Sequence, residues 1–162
     1  MFTQVIANRI NEAFELCRKQ KIRLVTAESC TGGMLSMMLT SVGGSSDVFE
    51  RGLVTYSNEA KQELLGVPAP LFSKVGAVSA EVATAMAQGA LKYATGGIAI
   101  SITGIAGPGT SEGKPVGLVY IALAWEGRPI LCRRFQFSGD RGQVRMATVE
   151  QAIEMLVARL KG

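Results

Sequence analysis

Side chains that could act as a nucleophile and its base lie in two stretches of this sequence. Ser29 and Cys30 follow an apolar run and precede a glycine turn, Thr31-Gly32-Gly33, that opens a helical pattern. The unpaired N–H groups at the start of such a helix can stabilise an anion. Tyr56 ends the next apolar run, and Lys61 lies in the first turn of the helix predicted after it. A lysine whose pKa is lowered by burial can accept a serine proton directly or through a tyrosine hydroxyl.

Each of these residues also has a structural explanation. Ser29 or Thr31 could simply cap the helix, as hydroxyl side chains often do. Lys61 could be an exposed surface lysine, and Tyr56 could lie half-buried at a sheet edge. The residue types alone therefore leave a catalytic and a structural interpretation open.

Cys30 is a second candidate nucleophile, because a thiolate at a helix N-terminus is stabilised. With Lys61 and Glu28 it would form a Cys-Lys-Glu set of the kind that some amidases use. Alternatively, Cys30 is a small buried hydrophobic residue, and Glu28 only orients the loop.

The sequence contains no histidine. This excludes Ser-His-Asp and Cys-His catalysis and zinc sites with a histidine ligand. Acid–base chemistry near neutral pH would have to use Lys, Tyr, Cys, Asp or Glu. The three cysteines, Cys17, Cys30 and Cys132, are widely spaced and show no metal-binding pattern. We therefore expect no metal and a reducing, cytoplasmic environment.

Charge and hydropathy narrow the class of partner. The net charge is +4, and the basic residues are scattered without the interleaved aromatic residues typical of nucleic-acid surfaces. No apolar run is long enough to span a membrane, and Glu12 and Glu15 do not fit a secretory signal. We expect neither a nucleic-acid nor a membrane partner, and the surplus positive charge favours a small anionic substrate.

Helical and strand patterns alternate along the chain. They predict a single domain, residues 1–162, with a mixed sheet between helices on both faces: a three-layer α/β/α sandwich. Residues 68–76 are predicted to be a linker without regular structure. The predicted helices are 4–19, 31–42, 59–65, a helix from Ser79 to Gly96-Gly97, and 141–160; the predicted strands are 22–27, 53–56, 98–103, 118–125 and 130–137.

Three separate segments should converge at one edge of this sheet. Ser29, Tyr56 and Thr103–Gly107 all lie just past the carboxyl ends of predicted strands, where ligands bind in open α/β sheets. The glycine-rich loop 104–115 matches neither a P-loop nor a dinucleotide fingerprint. Arg141 and Arg145, four residues apart at the start of the last helix, could together bind a phosphate or carboxylate, or could form a solvated face.

Four ordered blocks of this sequence resemble the CinA C-terminal domain family. They are Thr26–Gly33, Gly52–Lys61, Thr103–Pro108 and Lys114–Gly117, and the resemblance extends over essentially the whole chain. Larger members carry an additional N-terminal domain resembling a molybdopterin-binding fold, which we do not expect here.

The resemblance implies an amidase that hydrolyses the carboxamide of nicotinamide mononucleotide (NMN) to nicotinic acid mononucleotide and ammonia, in pyridine nucleotide and NAD recycling. It also implies a Ser-Tyr-Lys arrangement, which falls on Ser29, Tyr56 and Lys61, a homo-oligomer, and no cofactor. The residues expected to contact substrate are Glu28, Cys30, Thr31, Gly32, Gly33, Thr103, Gly104, Gly107, Arg141 and Arg145.

Within this expectation, Ser29 attacks the amide, Lys61 takes its proton with help from Tyr56, and backbone N–H groups of the Cys30–Gly33 turn hold the oxyanion. The phosphate would lie against backbone donors or the two arginines. Two other interpretations remain: an amidase with Cys30 as nucleophile, and an inactive relative that only binds a nucleotide.

Overall fold

The computed structural model describes residues 3–162 of the chain. The helices and strands follow one another in the order α1 Gln4–Gln20, β1 Leu24–Glu28, α2 Met34–Thr40, β2 Phe49–Val54, α3 Asn58–Leu65, α4 Pro70–Lys74, α5 Ala80–Leu91, β3 Ile98–Gly104, β4 Leu118–Trp125, β5 Leu131–Gln136 and α6 Arg141–Lys161. A 3₁₀ turn, Ser45–Asp47, lies between α2 and β2.

The strands form one mixed sheet in the order β2-β1-β3-β4-β5. β1 runs parallel to both β2 and β3, so the carboxyl ends of these three strands meet at one edge. β4 is antiparallel to β3 and to β5 and forms with β5 the hairpin that the sequence predicts. The chain leaves β1 toward β2 and later crosses to β3 on the other side, which creates the crevice where open α/β sheets bind ligands.

Helices cover both faces of the sheet, and this confirms the predicted three-layer sandwich. On β3, Ile98, Ile100 and Ile102 pack into the core that α1, α2 and α6 share. The opposite face carries small side chains, such as Ala99 and Ala122, and packs against α5. Alternation along a strand places these two sets on opposite faces.

The long helices begin and end close to the predicted positions because their caps are readable in the sequence. In α1 the Thr3 hydroxyl accepts from the N–H of Ile6, and Lys21 ends the helix in the left-handed conformation. In α6 Asp140 and Gln143 form a reciprocal capping box. The last helix therefore starts at a fixed point, and this fixes where its first-turn arginines lie.

The structure differs most from the predicted elements in four places. The helix predicted over 31–42 is the shorter α2, Met34–Thr40, because the two glycines before it have positive φ and form a turn. Residues 68–76, predicted to be a linker, contain the short helix α4, whose five residues are too few to show a helical period. β2 begins at Phe49 and ends at Val54, so Tyr56 lies beyond the strand. α5 ends at Leu91, before the glycine pair.

No helix within residues 3–162 combines the length and apolarity needed to cross a membrane.

Candidate active site

Ser29 and Lys61 are in direct contact at the carboxyl edge of the sheet. The Lys61 Nζ lies 2.9 Å from the Ser29 Oγ, although the two residues are 32 positions apart. Both are buried, with 8% of Ser29 and 1% of Lys61 exposed. The sequence predicts only that Ser29 and Lys61 lie in the same region. In the structure, one hydrogen bond joins their side chains directly.

The parallel strands hold both partners of this hydrogen bond. The N–H of Ser29 donates to the carbonyl of Ile102, which fixes the residue after β1 to β3. The N–H of Thr55 donates to the carbonyl of Glu28, which fixes the segment before α3 to β1. Ser57 then caps α3 by accepting from the N–H of Ala60. This cap fixes the first turn of α3, which carries Lys61.

The surroundings of Lys61 suit an uncharged amine. Its Nζ donates to the carbonyls of Thr55 (2.9 Å) and Tyr56 (3.2 Å), and the carbonyl of Ser57 lies farther away, at 3.5 Å. Burial is the main cause that lowers its pKa from 10.5 to about 8. A neutral amine has two N–H donors and one lone pair. The two nearer carbonyls can take both donors, which leaves the lone pair for the Ser29 hydroxyl.

An open cleft of about 280 Å³ lies above this pair. The three segments that the sequence places past the strand ends all line it, together with residues from α3, α6 and the loop before α5. The lining comprises Ser29, Cys30, Tyr56, Asn58, Lys61, Ala77, Val78, Thr103, Gly104, Ile105, Ala106, Gly107, Gly109, Ser111, Glu112 and Arg141.

Tyr56 contacts Lys61 through its main-chain carbonyl, while its side chain is 60% exposed. Its hydroxyl accepts instead from the Arg141 guanidinium at 3.0 Å. Of the two routes expected for the serine proton, directly to Lys61 or through the tyrosine hydroxyl, this geometry favours the direct one. Arg141 also donates to the carbonyl of Gly107, at 2.7 Å. Its guanidinium thus bridges two walls of the cleft and keeps further N–H donors free.

Glu28 was expected to contact substrate, and the structure gives it a different role. Its carboxylate is fully buried and accepts from the N–H groups of Gly33, Leu35 and Ser36 and from the Ser36 hydroxyl. These donors belong to the start of α2, where a negative charge is stabilised by the helix dipole. Glu28 therefore anchors α2 and does not line the cleft.

Thr31, Gly32, Gly33 and Arg145 were also expected to bind substrate, and none of them lines the cleft. Thr31 is completely buried. The N–H of Gly32 donates to the carbonyl of Ser29, and that of Gly33 to Glu28. Arg145 donates to the carbonyl oxygens of Cys30 and Thr31, at 3.1 and 2.9 Å. These residues fix the turn after Ser29, and only Arg141 of the two arginines lines the cleft.

Cys30 lines the cleft, but only 7% of the residue is exposed to solvent. Burial raises the pKa of its thiol to about 11. A thiol with that pKa is almost fully protonated near neutral pH, and the thiolate is the reactive form. The neighbouring serine is the better-prepared nucleophile.

The β3 end contributes the other wall. The Thr103 hydroxyl donates to the carbonyl of Ala77 at 2.9 Å, joining β3 to the loop before α5. Gly104 and Gly107 follow it along the cleft. A side chain at Gly104 would collide with Val119, and one at Gly107 with Val116. Glycine is thus needed at both positions for the loop to lie close to the neighbouring strand.

Three polar residues of the cleft, Asn58, Ser111 and Glu112, were not predicted from the sequence. Asn58 begins α3, and Glu112 lies in the loop after β3. Glu112 had no recognisable motif around it, because a pairing between this loop and residues 76–78 leaves no local pattern.

No group of three or more Cys, Asp or Glu side chains within residues 3–162 is arranged to hold a metal ion.

Comparisons with known proteins place this geometry in a family. The model of the CinA C-terminal domain matches residues 6–160. A CinA-like protein of Citrifermentans bemidjiense is 54% identical over 145 residues, covering 87% of this chain and 34% of that protein. A putative competence-damage inducible protein of Caldicellulosiruptor bescii is 49% identical over 142 residues, with coverage of 87% and 34%. The chain thus spans about a third of the length of these curated relatives.

Solved structures agree over nearly the full chain. The crystal structure of the competence/damage inducible protein CihA from Agrobacterium tumefaciens is 39% identical, with a TM-score of 0.93 and coverage of 100% of this chain and 99% of that one. A CinA superfamily protein from Escherichia coli is 33% identical, with a TM-score of 0.87 and coverage of 96% and 92%. These two structures therefore have the same fold as the chain over nearly its full length, at 33–39% sequence identity.

Proposed function

Because this chain belongs to the CinA C-terminal domain family, we propose that it is a serine amidase that hydrolyses the carboxamide of NMN. The products are nicotinic acid mononucleotide and ammonia. The observation that carries the proposal is the buried 2.9 Å contact between the Ser29 hydroxyl and the Lys61 amine. A base within hydrogen-bond reach of a hydroxyl is the minimal requirement for nucleophilic catalysis by serine.

The proposed reaction proceeds in two halves. Ser29 Oγ attacks the carboxamide carbon while Lys61 Nζ accepts the hydroxyl proton. The same proton passes to the departing nitrogen, and ammonia leaves as the C–N bond breaks. Water then attacks the acyl-enzyme ester, Lys61 again takes a proton, and its return to Ser29 releases the carboxylic acid.

The turn after Ser29 supplies the proposed oxyanion donor. The N–H groups of Gly32 and Gly33 already have acceptors, so they are unsuited to this role. Those of Cys30 and Thr31 have no acceptor within residues 3–162. Only Cys30 of the two lines the cleft, so we assign the oxyanion to its N–H group, with Arg145 holding the turn through the carbonyls of Cys30 and Thr31.

Arg141 is the proposed phosphate ligand. It lines the cleft, and its bonds to the Gly107 carbonyl and the Tyr56 hydroxyl leave donors unused. A guanidinium held in this way is well suited to a phosphate. In this proposal Tyr56 acts twice: its carbonyl orients Lys61, and its hydroxyl positions Arg141.

Ammonia release from NMN by the purified protein tests the activity. We expect release by the wild type with or without a chelator, and at least about a thousandfold loss in Ser29→Ala and Lys61→Met, since each removes one partner of the proton transfer. Lys19→Met, which changes an exposed lysine of α1, is the matched control and should retain activity. Wild-type protein that releases no ammonia would refute the proposal, and activity surviving Ser29→Ala would move the nucleophile elsewhere.

A further inference from the structure

Glu112 is held at the mouth of the cleft by contacts from another segment. Its Oε1 accepts from the N–H of Val78 at 3.0 Å. The loop that carries it is fixed in turn by Lys114, whose Nζ donates to the carbonyls of Val75 and Val78, both at 2.6 Å. The carboxylate is therefore positioned, although the residue is exposed.

The backbone on both sides is adapted to this position. Glu112 has φ = +55°, a left-handed conformation that side chains other than glycine seldom adopt. Opposite it, a Cβ at Gly76 would lie 2.2 Å from the Glu112 Oε2. The carboxylate thus occupies space that any other residue at position 76 would fill. Such unfavourable local conformations are often retained at ligand sites.

The charge of Glu112 is not neutralised by the protein. No ion pair within residues 3–162 involves this carboxylate. One hydrogen bond leaves most of its acceptor sites open. In the part of the chain that the structure describes, Glu112 is thus the one acidic residue that lines the cleft, and Arg141 places a positive charge on another wall, apart from the buried Lys61 beside Ser29. A ligand that carries both signs of charge would complement this arrangement.

We propose that Glu112 recognises the positive charge of the pyridinium ring, so that the cleft selects oxidised over reduced nicotinamide nucleotides. This inference rests on the proposed function. NMN carries a cationic ring next to the scissile carboxamide and an anionic phosphate at its other end. With the carboxamide at Ser29 and the phosphate at Arg141, the ring between them would lie in the same cleft that Glu112 lines. Reduced NMN has the same carboxamide, ribose and phosphate but an uncharged ring.

The test compares the binding of NMN and reduced NMN to the full chain carrying Ser29→Ala, which cannot turn the ligand over, by isothermal titration calorimetry. We expect NMN to bind about three- to fivefold more tightly, as one exposed ion pair would give at the upper end of its range. Adding Glu112→Gln should reduce this preference to less than about twofold, because the amide can still accept from Val78 but carries no charge. Glu112→Ala should behave in the same way.

Glu59→Gln is the matched control. Glu59 and Glu112 both act electrostatically on Lys61, raising its pKa, but only Glu112 lines the cleft. We expect Glu59→Gln to keep the full preference. A preference that survives Glu112→Gln, that is equally lost in Glu59→Gln, or that is absent from the Ser29→Ala parent overturns the inference, as does failure of both nucleotides to bind.

Ammonia release by the wild type separates the inference from the proposed function. Release from NMN combined with an unchanged preference in Glu112→Gln would overturn the role of Glu112 alone. In the active protein at pH 9.5, where Lys61 is mostly neutral in both variants, Glu112→Gln should raise the KM for NMN and leave kcat nearly unchanged, since the ring charge is present in both the bound substrate and the transition state. A purely structural effect would instead lower the melting temperature and act equally on both nucleotides.

Discussion

Lys61 determines what the candidate site can do. An amine in water keeps its proton near neutral pH, so it cannot accept another from serine. The fold places this amine in a buried position against two main-chain carbonyls, which lowers its pKa to about 8. The lowered pKa that would let Lys61 act as a base therefore comes from its buried position in α3. It could not be inferred from the residue type alone.

The rate of NMN hydrolysis should follow the deprotonation of this lysine. Only about a tenth of Lys61 is neutral at pH 7 if its pKa is about 8. We expect kcat/KM for ammonia release to rise nearly tenfold per pH unit below this pKa and to level off above it. Initial rates from pH 6.5 to 9.5 measure the profile. A rate that is constant across this range would contradict a lysine base.

Replacing the neighbouring cysteine should have little effect on catalysis. The thiol of Cys30 has a pKa of about 11 and packs into the core. We expect Cys30→Ala to keep kcat within about threefold and to lower the free energy of unfolding by about 1–2 kcal/mol, through lost packing. Steady-state kinetics and urea unfolding check both parts. Complete loss of activity in a folded Cys30→Ala protein would favour the thiol as nucleophile.

At the scale of elements, one buried carboxylate makes most of the hydrogen bonds that join α2 to the sheet, beside a contact between the Thr26 and Ser36 hydroxyls. Glu28, the last residue of β1, receives three main-chain N–H groups and one hydroxyl from the start of α2. The first N–H groups of a helix have no partners within it. Ser29 lies in the turn between Glu28 and α2. The hydrogen bonds that cap the helix therefore also limit the movement of Ser29.

Glu28→Gln should therefore affect both stability and catalysis. A glutamine keeps the volume but turns an NH₂ group toward N–H donors of α2, where no acceptor remains. We expect unfolding to become easier by about 2–4 kcal/mol, the range for lost hydrogen bonds to a buried charge, with a fall in kcat. Urea unfolding and ammonia release measure the two effects. Ser36→Ala, which removes one of the four donors, should show a smaller change of the same kind.

The sequence predicts elements well where caps and periodicity are local, as in α1 and α6. It fails where the cause is a contact between distant segments. Nothing near residue 70 indicates α4, and nothing near Glu28 shows that its charge points into α2. For the site, the resemblance to a family suggested Ser29 with Lys61, and the strand ends suggested where the cleft lies. Glu112 was missed because its partner, Val78, is 34 residues away.

At the scale of the whole molecule, α6 closes the site from the far end of the chain. Arg141 and Arg145 lie in its first two turns and contact residues 34 to 115 positions earlier. The capping box at Asp140 fixes where this helix starts. The site thus depends on the packing of α6 against α1 and the sheet, and variants that loosen α6 should weaken substrate binding before they unfold the protein.

The buried lysine should also be visible in the stability of the whole protein. The pKa of Lys61 is about 8 in the folded state and 10.5 as the unperturbed value. Between these values the unfolded chain binds a proton that the folded protein does not, so the free energy of unfolding rises with pH across this window, by about 3 kcal/mol in total. Below pH 8 Lys61 is protonated in both the folded and the unfolded state. The free energy of unfolding is then lowered by the full cost of burying the charged amine.

Lys61→Met isolates this effect. The methionine leaves two carbonyls without a donor, which lowers stability by an amount that does not vary with pH, while the other titrating groups are common to both proteins. We therefore expect the difference in unfolding free energy between wild type and Lys61→Met to increase from pH 8 to pH 10.5 and to be constant between pH 6 and 7.5. Urea titrations at these pH values provide the measurement. A difference that does not change with pH would mean that Lys61 keeps its ordinary pKa in the fold, and a lysine of that kind could not serve Ser29 as its base.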